Sequence, residues 1–287
     1  MSTRKPREQH TVESVLSEMM EYMGYGAKDD WSVLYRAGSI SNPHLKPRGN
    51  FNLAECSELV AKWLVHEKRG GKMHFEVMAE CLKNITRKLP VTYLKDRSDR
   101  DCYKPNRQNR KGKGRRVEEW MAKVMVRNCI ADKNLKYPYL GKAVDYQVLI
   151  DKRKKFGDID IIGVCGRDVV IGELKRPDNP ETLIRAILEI YTYAKSFDEN
   201  QLRILFKECG VGSRGRLVVA PVFFKGSNMS KENEVMKDPK GNLQRLIKCM
   251  QDDLAAQYEN ISVQFKMIEL NPEDFADVVK DAEELAE

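Results

Sequence analysis

Histidine is scarce in this chain and lies away from where chemistry is expected. The four histidines, His10, His44, His66 and His74, all fall within the first 74 of the 287 residues. A Ser-His-Asp or Cys-His mechanism would have to take its base from that N-terminal region. His66 and His74 have no acid or cysteine at ligand spacing and read as surface or core side chains. A Cys-x-x-Cys pair is also missing. The seven cysteines are odd in number and scattered, which reads as reduced thiols rather than disulfides or zinc. There is no Walker-type glycine loop. Residues 210–215 (GVGSRG) resemble a dinucleotide loop in spelling, but they precede a strand instead of following one, and read as an ordinary loop. No window reaches the apolar length of a membrane span, and the opening MSTRKPREQH has no signal-peptide apolar run. The expected location is cytoplasmic, or nuclear in a host with a nucleus, with no membrane partner.

What is present is the composition of a globular protein, 41% hydrophobic and 32% charged. The length suffices for one large domain and a smaller one. A net charge of +7 accommodates an anionic partner without demanding one.

Acids fall in strand patterns at two places. Residues 157–164 (GDIDIIGV) and 168–175 (DVVIGELK) are β-branched and apolar, with polar residues two apart. Between them, Gly166-Arg167 suits a two-residue type II′ hairpin loop, with glycine first. Cys165 then pairs with Asp168, and paired residue numbers sum to 333. Asp160 faces Glu173, and Asp158 faces Lys175. Opposed Cβ atoms lie about 4.5–5.5 Å apart, and residues two apart share a face, so these four side chains cluster on one side. Facing carboxylates repel and do not both stay ionised without compensation. Mg²⁺ or Mn²⁺ would compensate, because hard cations take oxygen ligands. Such an ion holds a phosphate oxygen and lowers the pKa of a bound water, and Lys175 is placed to steer that water or to stabilise charge on the phosphate. The plainer reading is a charged, exposed hairpin face in which Lys175 merely pairs with acids.

Asp160, followed by Glu173-Leu174-Lys175, resembles the signature of the PD-(D/E)xK (restriction-endonuclease-like) nuclease superfamily, although no proline precedes the aspartate. The resemblance covers roughly residues 115–225. It implies a core of helix, three strands, helix and strand, and cleavage that leaves 5′-phosphate and 3′-hydroxyl ends. Residues 116–129 supply the first helix, with Val117, Trp120, Met121, Val124 and Met125 at helical spacing. By the resemblance a glutamate on that helix completes the metal shell. Glu119, with Ala122 three residues on, fits better than Glu118, which is the fallback. Residues 143–150 make the first strand and 181–197 the second helix. The latter buries Leu183, Ile184, Ile187, Leu188 and Tyr191, while Thr182, Arg185, Glu189 and Tyr193 read as a solvated face in preference to the lining of a substrate groove. Residues 215–224 read as a buried strand, which Pro221 suggests is an edge or bulged near its end.

Residues 1–92 read as an all-α module, with helices at 11–24, 53–68 and 73–88 and a short one at 29–37. It would recognise substrate, a protein partner or a second copy in a homodimer, and the sequence leaves these open. Residues 93–116 form a basic linker or arm. Within it YKPNRQNRKGKGRR carries Lys104, Arg107, Arg110, Lys111, Lys113, Arg115 and Arg116 and no acid. Such a segment buries no apolar area and suits phosphate backbones, positioning a strand rather than reading its sequence. Residues 117–287 would hold the nuclease-like domain, extended by a charged loop at 230–240, a helix near 242–258, a strand at 261–268 and an acidic helix at 272–286.

The fold class expected is therefore α/β, with a central mixed β-sheet flanked by helices and an all-α N-terminal module. The expected function is a Mg²⁺- or Mn²⁺-dependent endonuclease acting on DNA. Asp160, Glu173, Asp158 and Glu119 would hold the metal, and Asp160, Glu173, Lys175 and Glu119 would carry the chemistry. The alternatives are the same site acting on RNA, or a nucleic-acid-binding or assembly protein that no longer cuts.

Overall fold

The structure is a computed structural model, and it describes residues 53–66, 68–69, 71–86, 117–149, 157–179, 181–212 and 214–280. The expected helices at 11–24 and 29–37, the 92/93 boundary and the whole basic arm, from Lys104 to Arg116, lie outside the described residues.

The chain folds as an α/β protein around a mixed sheet. After helix α1 (Leu53–His66), a two-residue hairpin of β1 (Lys68–Arg69) and β2 (Lys72–Met73) leads into α2 (His74–Thr86). Helix α3 (Val117–Ala131) precedes β3 (Lys142–Leu149), β4 (Asp158–Cys165) and β5 (Asp168–Leu174). Next come α4 (Leu183–Lys195), α5 (Glu199–Glu208), β6 (Arg216–Phe224), α6 (Asn228–Val235), α7 (Asn242–Gln257), β7 (Ser262–Phe265) and β8 (Ile268–Leu270). The main sheet runs β3-β4-β5-β6, with β7 and β8 both on the far side of β6. Strands β3, β4 and β5 are antiparallel neighbours, while β6 is parallel to β5, β7 and β8. Among the described residues no helix is long and apolar enough to cross a membrane.

Local chemistry explains the hairpin. Of its two loop residues only Gly166 has a positive φ, +65°, as a type II′ turn requires. Cys165 pairs with Asp168 and Ile161 with Gly172, so the expected register holds along the observed ladder. Strand β6 (RLVVAPVFF) is buried nearly end to end, as a strand paired on both sides and covered on both faces must be. It is therefore central rather than an edge, which corrects the inference from Pro221. The proline is tolerated because its neighbour is interrupted. Strand β7 pairs as far as Val219↔Phe265, and β8 resumes at Val222↔Ile268. The missing N–H of Pro221 faces that gap, so no ladder bond is lost. The same gap splits the single strand expected at 261–268.

Helices cover both faces of the sheet. Helix α3 and the 3₁₀ turn Pro272–Phe275 pack with Ile161, Val170, Val218 and Val222 on one face. On the other face α4 packs against Val169, Ile171, Leu217 and Val219, and α1, α2, α5 and α7 join the same apolar cluster. Residues 53–86 thus share a core with the sheet, although the sequence suggested a separate module. Two helices arise where the sequence reading placed none. Helix α5 has a capping box between Asp198 and Gln201, a legible start signal ahead of Leu202, Leu205 and Phe206. Helix α6 replaces most of the charged loop expected at 230–240 and is capped by Ser227.

One buried contact ties α1 and α6 to the start of α4. Thr182, the N-cap of α4, makes no side-chain cap bond. The Leu183 N–H instead donates to Glu232 Oε2 at 3.1 Å, and the Ile184 N–H donates to Ser57 Oγ at 3.3 Å. Ser57 Oγ in turn donates to Glu232 Oε2 at 2.7 Å. Burial pushes the Glu232 carboxyl up to about 7, against an ordinary value of 4.5. The fold therefore retains a proton that the unfolded chain has released between those values, and stability falls as pH rises through that window. Glu232→Gln keeps the acceptor and removes the ionisation. Urea unfolding is expected to show it more stable than wild type by roughly 3 kcal/mol at about pH 8, and equal to it at about pH 4. A pH-independent difference would rule this out.

Candidate active site

The site lies where β4 and β5 part. Their pairing ends at Ile161↔Gly172, whereas β5 continues alongside β6 through Leu174↔Val222. Past the last β4–β5 pair, the Asp160 carboxylate takes over the role of a ladder acceptor. Its Oδ2 accepts the Leu174 N–H at 2.9 Å, and its Oδ1 accepts from Gln147 Nε2 at 2.8 Å. Gln147, in β3, has a φ of +47°, uncommon for a residue with a side chain. Strain of this kind is kept where surrounding structure requires it, and here it accompanies the bond to Asp160.

Asp160, Glu173 and Lys175 come together, each of them buried. Lys175 Nζ lies 2.7 Å from Glu173 Oε1, 3.0 Å from Glu181 Oε2 and 3.2 Å from Glu189 Oε2. Arg185 Nη1 lies 2.9 Å from Glu181 Oε1, and Arg185 Nε is 4.0 Å from Glu189 Oε2. The Tyr193 hydroxyl donates to Glu189 Oε1 at 3.0 Å. Arg185, Glu189 and Tyr193 on one side of α4, with Glu181 just before its N-cap, thus form a stripe at four-residue spacing. A Cβ on Gly157, whose φ is +83°, would come within 2.5 Å of the Tyr193 hydroxyl, so the chain entering β4 passes directly over that ring.

Carboxylates outnumber cations here. Asp160, Glu173, Glu181 and Glu189 meet Lys175 and Arg185, which leaves two negative charges if all are ionised. Burial is the main force raising the Asp160 carboxyl, to about 7, with Glu118 and Glu189 adding to it and Lys175 opposing. Burial, followed by Asp160 and Glu189, holds Glu173 well above the usual carboxyl range. For Lys175, burial works against the charge but is outweighed by Glu173, Glu189 and Glu181, so the amine is held firmly protonated. Burial also disfavours ionised Glu189, yet Lys175 and Arg185 prevail and hold it low.

The residues singled out from sequence divide. Asp158 lies half-buried at the start of β4, paired with Leu149, and the β4–β5 ladder stops short of it. Glu118 is the helix acid that reaches the site loop. Its Oε1 accepts from Asn179 Nδ2 at 2.8 Å and from the Arg176 N–H at 3.4 Å. Glu119 instead acts on Lys123, in its own helix. Thr182, Glu189 and Tyr193 are buried, which corrects the reading of a solvated α4 face. Glu189 and Tyr193 face Lys175 and the chain at Gly157, while α2 and α7 meet α4 at Tyr191. Of Leu183–Lys195 only Arg185 is not buried. Gln147 and Glu181 carried no sequence signal beyond, for Glu181, its place in the stripe.

No family model, curated protein or solved structure is matched by this chain. Among the described residues, no group of three or more histidine, cysteine, aspartate or glutamate side chains is arranged to hold a metal ion. The four-carboxylate set of Asp158, Asp160, Glu173 and Glu119 is thus not assembled, and Asp160 and Glu173 remain as a pair. Glu173 Oε2 is buried without a hydrogen-bond partner. An orphaned oxygen beside a second desolvated carboxyl fits a hard divalent cation, which takes one or two protein carboxylates and completes its shell with water.

Proposed function

We propose that this protein hydrolyses phosphodiester bonds of nucleic acid, DNA in preference to RNA, with a divalent cation held by Asp160 and Glu173. The observation that carries this reading is the Asp160–Glu173–Lys175 cluster at the parting of two strands, with one buried carboxylate oxygen unsatisfied. The order α3, β3-β4-β5, α4, α5, β6 contains the helix, three strands, helix and strand expected of a PD-(D/E)xK core, with α5 as an additional helix before β6, and this supports the reading. Bound Mg²⁺ or Mn²⁺ would supply Lewis-acid polarisation and a water of lowered pKa.

The chain's own residues do the rest. Gln147 and the Leu174 N–H fix the Asp160 carboxylate from both sides. Lys175 holds a positive charge beside the acids, where negative charge develops on an attacked phosphate. Lys175, then Arg185 and the Tyr193 hydroxyl, keep Glu189 ionised, and Glu173 with Glu189 in turn keeps Lys175 protonated. The basic residues between Lys104 and Arg116 would hold the backbone of the strand by charge alone.

The test uses plasmid, single-stranded DNA and RNA, each incubated with Mg²⁺, Mn²⁺ or EDTA. Cutting is expected only with metal, fastest on DNA, and lost in Lys175→Ala. Retention of nucleic acid on a gel without cutting under any metal would replace the nuclease reading with that of a binding protein.

A further inference from the structure

Building on the nuclease reading, we propose that Glu181 occupies the place of a substrate phosphate. In the free protein its carboxylate spans Lys175 and Arg185, and a phosphodiester of the bound strand displaces it and takes both cations. The geometry suits an exchange. The two oxygens of Glu181 address different cations, Oε2 toward Lys175 at 3.0 Å and Oε1 toward Arg185 at 2.9 Å. A phosphodiester offers two non-bridging oxygens in the same way, and a guanidinium prefers such an oxyanion, planar fork to paired oxygens.

Three further features set Glu181 apart from the other acids. Its side chain is 20% exposed and that of Arg185 22%, whereas those of Lys175, Glu173 and Glu189 are 10% or less. The pair therefore forms the rim of the cluster, where a strand arrives. Glu181 Oε2 makes no hydrogen bond despite its closeness to Lys175, so the ion pair is poorly aligned and readily given up. Lys175 also already has Glu173 and Glu189, so the cluster needs no further carboxylate for neutrality. The backbone at Glu181 is pinned independently, since its N–H donates to Asn179 Oδ1 at 2.8 Å. Only the side chain has to swing.

The experiment measures binding rather than cutting. Fluorescence anisotropy of labelled duplex and single-stranded DNA is recorded in EDTA across a salt series. Glu181→Gln is expected to tighten binding by about tenfold, the scale of one charge-assisted contact. Arg185→Ala should weaken it by about tenfold and lower the slope of log K against log salt by about 0.9, one phosphate. In the double variant the gain from Glu181→Gln should shrink by about threefold or more, because its beneficiary is gone. Asp178→Asn removes a more exposed acid nearby and should leave affinity unchanged. The inference is overturned if Glu181→Gln binds no better than wild type, if its gain survives intact without Arg185, or if Asp178→Asn gives the same gain. Wild-type cutting with Mg²⁺ alongside any of these leaves the nuclease reading standing. A wild type that neither binds nor cuts removes both.

Discussion

Lys175→Met is expected to destabilise the metal-free protein by about 3–5 kcal/mol at about pH 8, the cost of stripping the counter-ion from buried carboxylates. The methionine fills most of the lysine's volume, so little of the loss comes from a cavity. What is lost is, among the described residues, the only positive charge within 3.2 Å of Glu173 and Glu189. The sign of the pH dependence follows from the lysine's raised pKa. A cation held above its ordinary value contributes stability that is fully present at neutral pH and disappears only in strong base. In the variant the acids can recover only by taking protons, so the deficit should narrow as pH falls toward 5. Urea unfolding at both pH values measures it. A deficit that is small, or equal at both, would mean that Lys175 does not sit among these acids.

Glu173→Gln is expected to act in opposite directions on stability and on activity. Cleavage should fall by about 10³-fold or more, since one of the two acids proposed to hold the cation is gone. The metal-free protein should nevertheless become more stable at alkaline pH. Burial, Asp160 and Glu189 all disfavour ionised Glu173 and hold its pKa well above 4.5. The fold thus keeps a proton that the unfolded chain gives up, and stability is lost as pH climbs above that ordinary value. Glutamine removes this loss. Thermal unfolding in EDTA at about pH 8 should show a raised midpoint, and added Mn²⁺ should stabilise wild type but not the variant. A variant that melts lower than wild type, or gains as much from Mn²⁺, would sink the idea that Glu173 is a strained ligand awaiting a cation.

The hairpin was legible because its determinants are local. Alternation fixed the faces of β4 and β5, and Gly166 fixed the turn, so the register from Cys165↔Asp168 to Ile161↔Gly172 followed from a short local stretch. The acid on α3 was not legible in this way. Glu118 and Glu119 are adjacent and chemically alike, and which one reaches Asn179 depends on how α3 lies across the sheet. Asp158 was misplaced relative to Lys175 because β4 and β5 part beyond Ile161 and Gly172, and no periodicity announces where two strands separate. Pro221 misled for a related reason. It bars pairing on one side only, and its partner strand happens to be broken there.

The sequence by itself determined the two strands of the β4–β5 hairpin, its turn and the identity of an acid–acid–lysine trio, since each depends on side-chain period and backbone preference over a few residues. Only the tertiary structure decided that the second face of α4 is buried, which brings Glu181, Arg185, Glu189 and Tyr193 into the site. That face meets the open end of the β4–β5 hairpin, at Gly157 and Lys175, while 53–86 and 242–257 pack on the side of Tyr191. Amphipathic spacing shows which residues share a face, but not what will come to cover it.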